Sequence, residues 1–519
     1  MLICREDYPV ADTKYGRLRG YYLDGCFTFQ GIKYADAKRF QMPVEPEAWE
    51  GVKDALSYGY VAEIMKKPVA NNEIMVPHQY WPSREDCQYL NIWSPSMEKD
   101  ARRPVMVWIH GGAFDDGSSI EQVAYEGRNL CIHEDVVVVS VNHRLNILGY
   151  WDLSEIDESY WNTGNLGNAD LTAALRWIRD NIAAFGGDPD NVTLFGQSGG
   201  GMKVLTLMQT PEANTLFHKG IVQSGVIGNM FDQDKAVNHA FTEKLKERGL
   251  ADRETLENMP YRRLVEVYTG IEAELAAEGY VVTRCPVQND YYLGNPLKNG
   301  FCDRAKEIPL IVGSVFGEFD FDHGINGKEK YSDEDVKQML RAQLGDGAEA
   351  LAELFKETYP DKHILDLLSL DNFIRSTEIA LIKERSKSPE SKTYSYMFTY
   401  NFALDGGKPA WHCSELPFVF RNIEKVPVCN DSPEAKVLER QMSSAWAQFA
   451  RTGAPAFTDD KEAPETGCPA WPVCEPGKEQ VMIFDKKCEV RVNYDHALIA
   501  LHEQYFDGAS RLKADNVQH

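Results

Sequence analysis

A serine with glycine two residues to either side can sit on a turn too tight for larger side chains, its hydroxyl held clear of the backbone. Gly196-Gln197-Ser198-Gly199-Gly200 has that spacing. It lies between "NVTLF", a run of β-formers, and "MKVLTLMQ", a run of helix formers. A serine on such a strand-to-helix turn projects at the carboxyl end of a sheet. The N–H of Gly199 then faces any oxyanion that develops, and the helix start adds positive potential. The chemistry this allows is nucleophilic attack on a carbonyl carbon. A hydroxyl is a weak nucleophile, so a base, an acid to orient that base, and further oxyanion donors are required.

Each missing part has an expected place. More donors should follow an earlier central strand, and "WIHGGAF" supplies Gly112 and Ala113 just after the strand ending at Ile109. Only their backbone N–H groups matter, so alanine is chemically acceptable there. In chains of this kind the acid follows the nucleophile and the histidine follows the acid. The loop "VFGEFDFDHG" after the strand "IPLIVGS" carries Glu318, Asp320 and Asp322, and on residue type alone all three remain open. Of 12 histidines, six follow Glu318. His323 is too near in sequence to come from a separate loop, His363 falls in a charged helical stretch, and His496, His502 and His519 lie near the C-terminus. His412, in "DGGKPAWHCSELPFVF" after the strand "KTYSYMFTY", is placed to deliver a base from beyond the sheet's end. Phe114, Phe316 and Phe319 flank these positions and receive no role from sequence.

The elements that must position these residues alternate along the chain. "KYGRLRGYYLDGCFTFQGIKYA" reads as a meander of short antiparallel strands. "RPVMVWIHGG" and "EDVVVVSVNHR" are apolar on both faces, as strands inside a helix-covered parallel sheet are. Leu171, Leu175, Ile178, Ile182 and Phe185 recur at helical steps, and Gly186-Gly187 and Pro189 close that helix. Strand–helix alternation predicts an α/β chain with right-handed βαβ connections and a mostly parallel sheet. Residues 236–278 and 328–386 read as helical, charged insertions over one end of it, and no Pro/Gly/Ser linker separates them, so residues 1–519 are expected to form one catalytic domain.

Composition narrows the partners. A net charge of −24 argues against nucleic acid, whose phosphates need a basic face. No run approaches the roughly 18 apolar residues of a membrane span. The start, "MLICREDYPVADTKYG", has no apolar signal region, and the eleven cysteines form no CxxC pair. A reduced cytoplasm is the expected setting, with neither a metal nor an organic cofactor needed.

Taken together these segments resemble the type-B carboxylesterases, the family of cholinesterases and bacterial para-nitrobenzyl esterases. "FQGIKYA", "SREDCQYLNIW", "VMVWIHGGAF", "VNHRLNILGY", the run from "GNLGNADL" through "FGQSGG", "WHCSELPFVF" and "MSSAWAQFARTGAP" occur in the family's order across nearly the whole chain. The resemblance implies an α/β-hydrolase fold, with nucleophile Ser198, acid Glu318, base His412, and oxyanion donors Gly112, Ala113 and Gly199. It further implies that Ser224, in "IVQSG", lies close to the triad. The expected activity is hydrolysis of small carboxylic esters through an acyl-enzyme. A silent adhesion-type relative, an amidase, carbamate or lactone hydrolase, and a lipase are the alternatives.

Three positions depart from the family pattern. Gln197 stands where glutamate usually precedes the nucleophile, which removes a charge that would stabilise a nearby cation. "YADAKRFQMP" is shorter than the usual proline-rich segment at the gorge rim. Cys87 has no upstream partner in "DALSYGYVAEIMKK", so it is expected to be a buried free thiol.

Overall fold

Alternating burial on both faces of the central strands organises the architecture. In the strand Arg103–Ile109, Val105, Val107 and Ile109 enter one apolar layer while Met106 and Trp108 enter the other. The computed structural model describes residues 1–66, 73–228, 231–321, 325, 327–429, 432–457 and 469–506. Asp322, His323 and His519 lie outside the described residues.

Twelve strands form one sheet: β1 (Leu2–Ile3), β2 (Tyr21–Leu23), β3 (Cys26–Lys33), β4 (Tyr89–Ser94), β5 (Arg103–Ile109), β6 (Val137–Val141), β7 (Gly187–Gln197), β8 (Lys219–Gln223), β9 (Leu310–Val315), β10 (Thr393–Phe398), β11 (Gln480–Phe484) and β12 (Glu489–Val492). Their spatial order is β1-β2-β3-β4-β6-β5-β7-β8-β9-β10-β11-β12. From β6 to β11 every neighbour pair is parallel, and the flanking pairs are antiparallel. The expected N-terminal meander is split. Tyr21–Leu23 and Cys26–Lys33 join the large sheet, whereas Val10–Thr13 and Gly16–Arg19 pair with Val52–Asp54 in a separate three-stranded sheet.

Two helices matter most for the site. In α1 (Leu166–Asn181) and the 3-10 turn that follows it, Leu171, Leu175, Ile178, Ile182 and Phe185 all enter the core, as their spacing predicts. The second, α2 (Gly199–Met208), starts directly after Ser198 and is buried along its whole length. Residues 236–278 contain the helices Lys235–Glu247, Arg253–Asn258 and Tyr261–Ala277, whose apolar faces pack with Phe40, Trp151 and Tyr160 in a cluster of their own. Residues 328–386 contain Asp333–Leu344, Ala348–Thr358 and Phe373–Arg385. Leu340, Leu351 and Phe355 from this stretch share a cluster with Trp108 and Tyr396 of the sheet. Among the described residues no helix is long and apolar enough to cross a membrane.

Candidate active site

The carboxyl ends of four neighbouring strands, β5, β7, β8 and β9, and the long loop after β10 converge at one place. That is where an open parallel sheet leaves backbone groups and loops free to build a site. β7 ends at Gln197, and Ser198 follows with φ 55° and ψ −126°. Positive φ is costly for a residue with a Cβ, on the order of 1–3 kcal/mol. Ser198 is held there because its N–H donates to Gln223 O at 2.7 Å and its carbonyl accepts from Met202 N in the first turn of α2. Ser198 is only half-buried, whereas its neighbours Gln197 and Gly199 are fully buried. Ala113 (φ 50°), Ser224 (φ 48°) and Cys413 (φ 75°) share the left-handed conformation, so strained backbone concentrates at this locus.

The turn after β5 packs directly on the start of α2. A Cβ built on Gly199 would lie 2.2 Å from Ala113 O and 2.4 Å from Ala113 N, and one on Gly200 would lie 1.9 Å from Ile109 O. No side chain fits at either position, so the two main chains touch. Among the described residues, the N–H groups of Gly112, Ala113 and Gly199 donate to no acceptor. Gly111 faces the same spot, its hypothetical Cβ 3.4 Å from Ser198 Cβ.

The loops after β9 and β10 are tied together twice. His412 N donates to Glu318 O at 2.5 Å, and His412 Nδ1 lies 2.5 Å from Glu318 Oε2. Glu318 is fully buried, and its Oε1 accepts from Val315 N at 3.0 Å. Burial pushes its carboxyl up, with Asp371 adding to the effect; the Val315 amide and the neighbouring Ser224 act in the opposite direction. Among the described residues the buried Ser224 Oγ has no hydrogen-bond partner, so its influence is that of a nearby dipole. Burial pulls the imidazole of His412 down to about 4, against the opposing influence of Glu415 and Asp371. A base must be unprotonated to act, and His412 is therefore neutral across the ordinary working range.

The third edge of His412 meets Gln197. Its Nε2 lies 3.1 Å from Gln197 Nε2, and the Cys413 thiol donates to Gln197 Oε1 at 3.2 Å. With the amide oxygen accepting from sulfur, its NH2 group donates to the imidazole. Among the described residues the Ser198 hydroxyl has no hydrogen-bond partner. Catalytic contacts that form only with substrate bound are common in unliganded enzymes.

The remaining candidates separate cleanly. Asp320 is buried beside Lys408, 3.8 Å from its Nζ. His363 accepts from Leu365 N and caps a 3-10 turn. His496 pairs with Glu479, and His502 packs against Phe506. Phe114 and Phe316 are core residues, against Tyr150 and against Phe355 and Tyr359. Phe319 differs, for its ring lies 4.6 Å from that of His412. Cys87 is a buried free thiol.

Sequence reasoning missed one brace. Trp446 Nε1 donates to Gln223 Oε1 at 3.2 Å, and Gln223 Nε2 donates to Glu415 Oε1 at 3.1 Å. Since Gln223 O also accepts from Ser198 N, Gln223 links the serine turn to the histidine loop. Only a buried polar run in "IVQSG" hints at it.

One group of side chains has a metal-like arrangement. The ligand atoms of Glu479, Asp495 and His496 lie within 4.8 Å of one another. The cation there is Arg375, whose guanidinium donates twice to each carboxylate at 2.8–2.9 Å. Burial alone would raise Glu479, yet Arg375 holds it down at about 2. A cleft of about 300 Å³ lined by Phe301, Lys306 and Arg385 sits at the amino ends of β9 and β10, remote from Ser198.

A mostly parallel sheet flanked by helices, with a serine on the sharp turn between a central strand and a buried helix, defines an α/β-hydrolase. The chain belongs to the carboxylesterase family, whose model matches residues 7–501. It is a carboxylic ester hydrolase. An esterase from the anaerobe Clostridium hathewayi, described as able to hydrolyse aliphatic aromatic polyesters, superimposes with a TM-score of 0.92 at 45% identity, covering 98% of this chain and 100% of that one. The para-nitrobenzyl esterase of Bacillus subtilis (strain 168) is 31% identical over 499 residues, 93% of this chain and 96% of its own. The phenmedipham hydrolase of Pseudarthrobacter oxydans is 31% identical over 501 residues, with the same coverage of 93% and 96%.

Proposed function

We propose that Ser198 is the nucleophile, His412 the base and Glu318 the acid of this esterase, with the amides of Gly112, Ala113 and Gly199 as its oxyanion hole. The observation that carries the reading is a set of three uncommitted backbone N–H groups beside a strained serine, next to a buried histidine held by a buried glutamate. Ser198 Oγ attacks the ester carbonyl as His412 Nε2 takes its proton. Glu318 keeps the Nδ1–H tautomer and stabilises the imidazolium that forms. The three amides receive the carbonyl oxygen as it becomes negative, without having to reorganise. His412 returns the proton to the leaving alcohol, and water then resolves the acyl-enzyme by the same steps. Gln197 donates to His412 Nε2, the atom that takes the proton, and so adjusts the base directly, while Ser224 adjusts the acid.

The proposed substrates are small carboxylic esters. The likeness to the Clostridium hathewayi esterase extends the proposal to aliphatic aromatic esters. The chain is proposed to work as one domain, because helices from 333–358 share the sheet's own apolar cluster. A reducing, cytoplasmic setting is proposed on the ten described cysteines, all free thiols. The test of the site is covalent labelling with a fluorophosphonate: the wild type is labelled once and Ser198→Ala is not. Labelling that persists in Ser198→Ala places the nucleophile elsewhere.

A further inference from the structure

The helix that follows Ser198 carries one buried cation. Lys203 is fully buried in α2, one turn beyond Gly199. Its Nζ donates to His110 O at 3.3 Å and lies 5.7 Å from the centre of the Phe114 ring. Those two residues bracket Gly111-Gly112-Ala113, the stretch that carries two of the three uncommitted amides. One ammonium therefore holds both ends of that turn, a carbonyl on one side and a ring face on the other. Among the described residues no carboxylate closes on Lys203 as an ion pair, and an ammonium has three N–H donors to place. The surroundings are polar but incomplete: His110 stacks on His143 at 5.0 Å, and His143 Nε2 is buried without a partner.

We propose that Lys203 is a positioning residue for the oxyanion turn, its charge fixing the direction of the Gly112 and Ala113 amides through His110 and Phe114. This rests on the reading of those amides as oxyanion donors. A helix residue chosen only for packing would be apolar here, and a buried lysine is expensive to keep. The groups that face Lys203 are Asp115, Asp116 and Glu121 from the loop after β5, and the two histidines His110 and His143. Asp115 is itself engaged by Arg284. Burial dominates this balance and lowers Lys203 to about 7, with the three carboxylates opposing. The native site thus loses its cation as pH rises through neutrality, which removes the hold on the Phe114 ring and leaves a neutral amine donating to His110 O.

The sign of the stability effect differs from that of the catalytic effect. A lysine lowered on folding binds fewer protons in the folded chain than in the unfolded one between about pH 7 and 10.4, so the charge works against folding below that window. Replacing it by an apolar residue of similar length relieves this cost. Lys203→Met is therefore expected to unfold at the same temperature as the wild type or higher, yet to turn over more slowly. A residue needed only for structure would give the reverse.

The experiment compares wild type, Lys203→Met and Lys203→Gln in steady-state hydrolysis of p-nitrophenyl butyrate from pH 5.5 to 9, and in inhibition by an aryl trifluoromethyl ketone. The ketone's adduct carries the oxyanion, whereas ester KM reports the ground state. The expected loss in kcat for Lys203→Met is about 10-fold or more, below the roughly 100- to 1,000-fold of deleting a donor outright. KM stays unchanged, ketone affinity falls in parallel with kcat, and the alkaline decline expected of the wild type is absent. Lys203→Gln, which keeps a donor for His110 O, recovers part of the loss. Equal kcat and equal ketone affinity in all three proteins overturn the proposal. If Lys203→Met does not fold, Lys203→Gln decides, and wild-type kcat and ketone affinity in that variant overturn the proposal. Failure of the ketone to inhibit even the wild type instead refutes the oxyanion-hole reading on which it rests.

Discussion

The side-chain amide of Gln197 lies 3.1 Å from Nε2 of His412, on the edge of the imidazole that must accept the serine proton. Gln197 and the proposed nucleophile, Ser198, therefore compete for one lone pair. Cys413 holds the amide in place from its other end. Attack requires the Gln197 amide to yield that lone pair, and burial keeps the wild-type base uncharged.

Gln197→Glu reverses that environment. A carboxylate beside Nε2 favours the imidazolium, so the pKa of His412 rises from its depressed value of about 4. Activity needs the neutral ring, and it falls as pH drops through that pKa. The acid limb of kcat/KM is therefore expected to move to higher pH in Gln197→Glu, with far-ultraviolet circular dichroism unchanged. Superimposable pH profiles would show that the amide has no electrostatic contact with the base.

Glu318→Gln keeps the size of the acid and removes its charge. An amide at Oε2 donates where an acceptor is needed and turns His412 to the wrong tautomer. A loss of about 10,000-fold in kcat is expected with fluorophosphonate labelling greatly slowed. Stopped-flow measurement of the acyl-enzyme burst checks which half-reaction suffers. Full activity in Glu318→Gln would return the role of acid to Asp320 or Asp322.

Gly199→Ala introduces a methyl group 2.2 Å from Ala113 O, a backbone atom that cannot step aside cheaply. The expected result is a destabilisation of about 1–3 kcal/mol together with a displaced amide. Urea unfolding reads the first and kcat the second, and both should fall. A stable, fully active variant would contradict the packing of these two main chains.

Arg375→Met removes the cation from between two buried carboxylates. Leaving Glu479 and Asp495 unmatched is expected to cost about 3–5 kcal/mol at neutral pH. Glu479 is depressed to about 2, so its share of stability is present above the unfolded carboxylate pKa and is lost as pH falls toward 2. The gap between wild type and variant should therefore narrow in acid. Denaturant titrations at pH 7 and pH 3 measure it.

Much of the fold is written in local patterns. The serine turn, the valine-rich strands and the Leu171–Phe185 stripe depend on neighbours within a few residues, so the sequence displays them directly. His412 was legible because it follows the late strand in a loop. The choice of Glu318 over Asp320 was legible only through the family resemblance, for residue type leaves open which side chain of the loop turns inward; Asp320 lies beside Lys408. Lys203, Gln223 and Glu415 were opaque for a related reason. A polar residue inside an apolar run gains a partner only when distant segments meet, and no spacing rule encodes that meeting.

The contact between Gly199 and Ala113 bears on how such an enzyme changes over generations. Where the carbonyl is received, backbone rests on backbone, and point substitution finds no side chain there to exchange. A change in what this scaffold accepts is therefore open to the segments laid over the strand ends, which can be lengthened, trimmed or recoloured, and closed to Gly199, where any added side chain meets the main chain of Ala113.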